Sequence, residues 1–487
     1  VSGELPSGVY AQILKTTNKQ GGKDMKNYLP NGHVWINSFI DEFKIERRAY
    51  YDKKIAYYDG KHPILNRKME EGKANTKLVF QFPKFIIDVA HSYLVGKPIT
   101  YANNKSIEDP SFADTNEFVE KLQDIFISND EAYHTAELLK NTSICGDGYE
   151  YVYVNKVGDI KIREFPATEC IPIYNPSTNE LECVIRYYEM EEIQPAGTKT
   201  HFYNIEVYTT TDITYYTMKD GVVELDVTKD PVPHGCGEVP IVHYRNVRII
   251  GQDYGKSDID DVETLVDEFN ERASDLSNTL QYNGDPLLRL TNCTITQEKL
   301  KEMIQKRAIQ VPEGATADYL TWDQNITAIE HHLERLQDSI LTFSSTPKLY
   351  KDNDEGNPMS GISIKMKFSG ADLKANNKER NYRQGLRKRI RLIAKLLELT
   401  EGIKYNWKDV DIIFNRSIPQ NLAELAEIVV KLKDTVSDET LLGLIPFVVD
   451  VKTELERVSG QTSTEDETDT TKKKNMTTVS ASATDGV

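Results

Sequence analysis

The residues Gly251 to Ser257, GQDYGKS, follow the apolar string VRII and open a helical pattern, which is where a phosphate-binding loop would sit. A Walker loop needs four residues between its glycines so that successive amides cradle the phosphates, and only Gln252, Asp253 and Tyr254 intervene here. Asp258, Asp260 and Asp261 come next and would repel a triphosphate. The segment therefore reads as a glycine turn with Ser257 or Asp258 as an N-cap. A nucleotide-dependent DNA motor or nuclease built on it is the alternative function to weigh. His331 and His332 beside Glu330 and Glu334 suggest a metal, yet adjacent histidines leave a helix on different faces and neither has a ligand four residues on. The cysteines Cys145, Cys170, Cys183, Cys236 and Cys293 are odd in number, scattered, and read as reduced, inert thiols. No G-x-S-x-G, H-E-x-x-H or paired-carboxylate signature appears, so the expectation is a protein that is not an enzyme and carries no cofactor or metal.

The charge pattern is more informative. From Asp258 to Leu280 the chain holds eight acids, Asp258, Asp260, Asp261, Glu263, Asp267, Glu268, Glu271 and Asp275, against one base, Arg272. Ile259, Val262, Val266, Phe269, Ala273, Leu276 and Leu280 step by three and four, which predicts a packed helix with an acidic outer face. From Lys378 to Leu399 the balance inverts. Arg383, Arg387, Lys388, Arg389, Arg391 and Lys395 accompany an apolar stripe of Tyr382, Leu386, Ile390, Ile393 and Leu397. Those bases form a solvated face, meet acids of a neighbouring subunit, or meet a phosphate backbone. In a chain of net charge −17 the inter-subunit reading is favoured over direct DNA binding, because planar guanidinium suits interface ion pairs.

With 487 residues the chain has room for two or three domains. No run of eighteen apolar residues exists, and the first thirty residues lack the regions of a signal peptide, so a soluble, cytoplasmic protein is expected. The acidic balance argues against tight wrapping of nucleic acid, though not against letting DNA slide past.

The elements that must position these charges are legible in outline. Trp35, Phe39 and Phe43 lead one helix through ERRAYYDKKIAYYDG to Gly60, and a second helix in NTKLVFQFPKFIIDVAHSYLVGKP either begins at Pro83 or kinks there. Shorter helices are expected over Asp114–Ser128 and Glu131–Asn141. From Gly148 the period becomes two, with strands in YEYVYV, DIKIREF, CVIRYYEM, HFYNIEVYTT, DITYYTM and GVVELDV and turns at Gly158-Asp159 and Lys219-Asp220-Gly221. This β region reads as scaffold. A small α/β insert, Asp285–Asp323, with strand PLLRL, helix TQEKLKEMIQK and strands AIQV and ADYLTW, separates the acidic helix from a second amphipathic helix, Asn325–Ser345, as in an antiparallel hairpin with a distal tip. A polar loop, the basic helix to Gly402, the strand KDVDIIF and two amphipathic helices follow.

This order, carried by KLVFQFPKFIIDVAHSYLVGKPITY, GDGYEYVYVN…GDIKIREFPATECIPIYN, GEVPIVHYRN…YGKSDIDDVETLVDEFNERASDLSN and MSGISIKMKFSG…ERNYRQGLRKRIRLI, resembles the portal (head-to-tail connector) proteins of tailed bacteriophages, in the siphophage branch of Gram-positive hosts. The resemblance implies an α+β phage portal fold with wing, helical stem, small α/β clip and helical crown, assembled as a dodecameric ring. It implies a flexible N-terminal arm at 1–32, wing at 33–256, stem helix 1 at 257–283, clip at 284–324, stem helix 2 at 325–345 and tunnel loop at 346–361. The long basic helix at 362–402 would join wing and stem, with a wing strand at 403–419, crown helices at 420–459 and a disordered tail at 460–487. The implied function is a structural conduit at one capsid vertex, through which double-stranded DNA is packaged by terminase and later ejected. Implied partners are other copies of the chain, double-stranded DNA, the terminase large subunit, head-completion and adaptor proteins, and scaffold and major capsid proteins, with no membrane. The implied location is the virion, after assembly in the host cytoplasm. Within that frame Lys348 and Lys351 are expected to touch DNA from the tunnel loop. Asp267, Glu268, Glu271 and Asp275 are expected to face the channel or a neighbour's basic helix, and Arg383, Arg387, Lys388 and Arg391 to lie between subunits.

Overall fold

The acidic and basic patterns belong to helices that a mixed α+β body brings together. A computed structural model describes residues 34–458 apart from 72, 105–110, 194–198, 285–286, 293, 307–312, 321–325, 349–360, 417–421, 434, 444, 446–447, 449–450, 452–453 and 456. The expected arm at 1–32, the strand AIQV, most of the polar loop and the tail from 460 lie outside the described residues. The chain divides into two compact units, residues 1–351 with 368–417, and residues 352–367 with 418–487.

In the first unit the opening helix is three pieces end to end: α1 (Val34–Phe43), a π-helical segment (Lys44–Arg48) and α2 (Ala49–Tyr58). The widened segment keeps Arg47 directed at the body, and π-helical inserts of this kind are common at functional positions. Helix α3 (Phe82–Val95) starts with Pro83 in its first turn, so the proline marks a beginning rather than a kink. The residues before it, 74–81, are extended instead of helical. Strand β1 (Thr100–Asn103), α4 (Thr115–Ile127), capped by Asp114, and α5 (Glu131–Cys145) follow.

Strands β2 (Asp147–Val154), β3 (Ile160–Phe165) and later β10 (Ile241–Arg245) form a three-stranded antiparallel sheet in the order β10-β2-β3. A second, larger antiparallel sheet orders β4 (Cys170–Tyr174), β5 (Leu181–Ile193), β6 (Lys199–Tyr208), β7 (Asp212–Lys219) and β8 (Val222–Leu225), with β9 (Val232–Pro233) on β7. The hairpin at Asp220-Gly221 has both residues at positive φ, which matches the right-handed twist of the strands it joins. The main core gathers Ile36, Ile40, Tyr51, Tyr149, Phe165, Ile185, Ile205 and Ile241 from α1, α2 and both sheets.

The acidic pattern becomes α6 (Glu263–Gly284), and β11 (Leu287–Thr291), α7 (Gln297–Lys306) and β12 (Thr316–Leu320) form the insert, its strands paired antiparallel. Helix α8 (Ile326–Phe343) packs on α6, with Val262, Val266, Phe269 and Ala273 against Leu336 and Ile340. The expected antiparallel helix pair is therefore present, with the two-stranded insert between its arms in sequence. The basic helix α9 (Gly361–Glu401) spans 41 residues, the first few in the second unit and the rest in the first, and Gly402 ends it at φ +74°. Strand β13 (Val410–Ile413) pairs with β1. The second unit also holds α10 (Leu422–Leu432) and α11 (Asp438–Gly443).

One buried histidine makes the larger sheet sensitive to acid. His234 donates from Nε2 to the Thr209 carbonyl at 3.1 Å and accepts at Nδ1 from the Cys236 amide at 3.2 Å, so the neutral ring is satisfied. Burial pushes its pKa down from 6.5 to about 4. The unfolded chain then binds the proton first, so stability is complete above pH 6.5 and falls between there and about 4, by up to ~1.4 kcal/mol per pH unit. Thermal melts at pH 7 and pH 5 should show a larger loss for the wild type than for His234→Gln; equal losses would mean that another group sets the acid limb.

Candidate functional site

The acidic segment is spent largely on its own subunit. Asp258 is buried and forms ion pairs with Lys374 and Lys378 of α9, while Asn246 donates to it at 3.0 Å. Burial would raise its pKa, yet the two lysines hold it down at about 2. Helix α2 meets the next acids with a stripe of Tyr50, Lys53, Lys54 and Tyr57, spaced for one helical face. Lys54 pairs with Asp260 and Glu263, Lys53 with Glu263, and the tyrosine hydroxyls donate to Asp260 and Asp267, each at 2.7 Å. The expectation of an acidic outer face is thus corrected for this half of the pattern. Asp258, Asp260 and Asp261 precede the helix; lysines neutralise Asp258, Asp260 and Glu263, while Asp267 accepts from the uncharged Tyr57 hydroxyl. One oxygen of Asp267, Oδ1, is buried with no hydrogen-bond partner among the described residues, and burial raises its pKa.

Further along α6 a polar ladder replaces the charges. Asn270, Ser274, Asn278 and Tyr282 recur every fourth residue and accept the backbone amides of Phe80, Leu78, Thr76 and Ala74 at 2.8, 2.9, 2.8 and 2.6 Å. Four helical residues advance ~6.0 Å and two extended residues ~6.6 Å, so an extended strap running against the helix meets each acceptor in turn. The spacing is visible in the sequence, but the apolar residues of the strap make it look helical.

Helix α9 contributes a second buried centre. Arg389, fully buried, pairs with Glu150 at 2.6 Å and Glu131 at 2.7 Å and donates to Thr135 at 2.9 Å. His134 and Tyr244 complete the shell of Glu150 at 2.8 and 2.9 Å. Burial works against the charged carboxylate, but Arg389 and His134 bring the Glu150 pKa from 4.5 to about 2. The reading of Arg389 as part of a solvated face is corrected: two acids on α5 and β2 draw it into the interior. Nearby, Gly385 has no room for a side chain, since a Cβ would stand 2.3 Å from the Tyr244 ring.

The other named residues are distributed as follows. Arg383 pairs with Glu379 at 2.7 Å and Asp411 at 3.2 Å, and Arg391 with Glu238. Lys388 donates to the Ile241 carbonyl at 2.8 Å, and burial lowers its pKa to about 8. Arg387 is exposed. Glu268 pairs with Arg272 at 2.7 Å, Asp275 with Arg67 at 2.8 Å, and Glu271 is exposed. Lys348 pairs with Asp338 at 2.7 Å, and Lys351 lies outside the described residues. Four cysteines are free and buried, and Cys293 is outside the described residues.

The closing residues of the loop Gly251–Ser257 have their amides committed. Gly255 N–H donates to Asp147 at 2.8 Å, Lys256 N–H to the Val247 carbonyl at 3.0 Å and Ser257 N–H to Tyr50 at 2.9 Å. Arg47 and Asp147 clamp Gly255 from both sides, and a Cβ there would stand 2.3 Å from the Gly146 carbonyl. The amides of Gly255, Lys256 and Ser257 are thus spent within the subunit rather than turned to a phosphate. The Ser257 hydroxyl accepts the Ile259 amide at 3.1 Å, closing a turn before α6 rather than capping the helix, which begins at Glu263. His331 contacts Glu334 at 3.5 Å and His332 contacts Glu268 at 3.7 Å, and among the described residues no group of three His, Cys, Asp or Glu is placed to hold a metal. Among them, too, no helix is long and apolar enough to cross a membrane.

Among the described residues, several buried or half-buried charge clusters tie the α6/α8 hairpin and α9 to the α+β body. The family described as phage portal protein, SPP1 Gp6-like, matches residues 37–468, and the chain belongs to it. The portal protein of Bacillus phage SPP1 is 27% identical over 431 residues, covering 83% of this chain and 79% of that protein. Members of the family are structural proteins of the phage head, at the connection between head and tail.

Proposed function

We propose that twelve copies form a ring at one capsid vertex, with the body at 33–256 as wing, the α6/α8 hairpin as stem, residues 284–324 as clip, 346–361 as tunnel loop and 420–459 as crown. Terminase pumps double-stranded DNA through the ring, head-completion and adaptor proteins dock on the clip, scaffold and major capsid proteins surround the wing, and the DNA leaves by the same route. The observation that supports this reading most directly is the hairpin itself, rooted in the body by the ladder and the α2 stripe and ending in a two-stranded tip.

Electrostatics favours passage over binding. DNA carries about one charge per 1.7 Å, so a basic channel would hold it and an acidic one lets it slide. Glu268 and Asp275, half-exposed on α6, suit the second role, while Lys348 and Lys351 supply local phosphate contacts near the loop. Negative-stain microscopy of the purified chain should show rings with a central hole. The Lys348→Ala, Lys351→Ala double variant should form the same rings yet package or retain less DNA. Discrete small oligomers without a hole would overturn the ring, and unchanged packaging would remove the lysines from the pathway.

A further inference from the structure

We propose that neighbouring copies are joined along the stem by an ion pair between Glu271 on α6 of one copy and Arg335 on α8 of the next. The proposal rests on the ring reading. The seam between the two helices uses Val262, just before α6, with Val266, Phe269 and Ala273 of α6 and Leu333, Leu336 and Ile340 of α8. At about 100° per residue, Glu271 lies roughly 170° round α6 from that seam and Arg335 roughly 130° round α8 from it. Both are exposed, on the outward flanks of the hairpin. A closed ring of identical chains is built from heterologous contacts, in which one flank of a subunit meets the other flank of its neighbour.

Charge selects these two residues from the flanks. On α6, Glu268 is matched by Arg272, and Asp275 by Arg67 and Arg272. On α8, Asp338 is matched by Lys348, and Glu334 lies 3.5 Å from His331. Neither Glu271 nor Arg335 forms an ion pair among the described residues. One flank therefore carries an uncommitted negative charge and the other an uncommitted positive one, and guanidinium is well suited to such an interface. The Glu268–His332 contact at 3.7 Å sets the register of the hairpin. Counting from it, Glu271 and Arg335 differ by about 9 Å along the axis at ~1.5 Å per residue, so their pairing requires hairpins inclined to the ring axis.

Charge reversal tests the pairing. Glu271→Arg and Arg335→Glu should each need at least tenfold more subunit than the wild type for half-assembly, followed by sedimentation and microscopy, with unchanged circular dichroism because both side chains are exposed. An equimolar mixture of the two variants should assemble again, since an alternating ring restores an opposite-charge pair at every interface. Assembly of either single variant at the wild-type concentration, or failure of the mixture to recover, would overturn the ion pair while leaving the ring standing. A wild type that forms no ring would overturn the underlying reading instead.

Discussion

Arg389→Met should destabilise the protein by about 3–5 kcal/mol, one of the two largest effects expected from a single site. The guanidinium is fully buried and is the cation that faces Glu150 and Glu131, themselves buried. Removing one partner of a buried pair leaves the other charge uncompensated, which costs far more than the pair itself contributes. Urea unfolding of the variant should show the loss, and adding Glu150→Gln and Glu131→Gln should recover much of it, because the leftover charges are then gone. A loss under about 1 kcal/mol in the single variant would mean that the carboxylates are already neutral in the native protein. The sign of the pH effect gives a second check. With a native pKa of about 2 against 4.5 when unfolded, Glu150 contributes stability that is complete above pH 4.5 and lost as the pH falls toward 2. In Arg389→Met that contribution should shrink, with only His134 left to hold the carboxylate charged.

Much of this architecture could be read from local pattern, and the parts that could not share a physical reason. The alternating strands from Gly148 to Val227 and the Asp220-Gly221 turn follow from period and turn chemistry, which are local. The apolar stripe of α6 was legible for the same reason, and so was the paired helix α8. Three features depend on partners far away in sequence. Arg389 looks solvated until Glu150 and Glu131 arrive from 239 and 258 residues earlier. Strand β1 is too short to declare itself and exists because β13 pairs with it, Thr100 opposite Ile413. Residues 74–81 carry an apolar string that resembles a helix, but Pro83 starts α3 and the acceptors on α6 satisfy their amides as a strap. The charge split that dominates the sequence was a true signal with a partly different meaning. Its first half is held within the subunit by Lys53, Lys54, Lys374 and Lys378, and of the later acids Asp275 meets Arg67 while Glu271 is exposed.

Replacing the ladder, with Asn270→Leu, Ser274→Ala and Asn278→Leu together, should free the strap from the stem. Each substitution removes the acceptor of one partly buried amide, at about 1 kcal/mol each toward the lower end of the range for such groups. The sum, ~3 kcal/mol of local stability, corresponds to roughly a hundredfold faster hydrogen exchange at the amides of Thr76, Leu78 and Phe80. The amides of β5 and β6 should keep their rates, because those strands are held by their own ladder. The orientation of Asn270 is already fixed: its amide nitrogen bonds His62 Nδ1 at 2.8 Å, and His62 Nε2 reaches the Tyr57 carbonyl at 3.1 Å. Asn270 thus joins α2, the strap and α6, and Asn270→Leu alone should carry the largest share of the effect. In assembled rings the triple variant should keep its subunit number, since the flanks of the hairpin are untouched, while losing DNA packaging if force on the clip reaches the wing through this strap. Exchange rates at the three amides equal to wild type would show that the contacts are geometric coincidence, and that the hairpin is held by the ion pairs at its base alone.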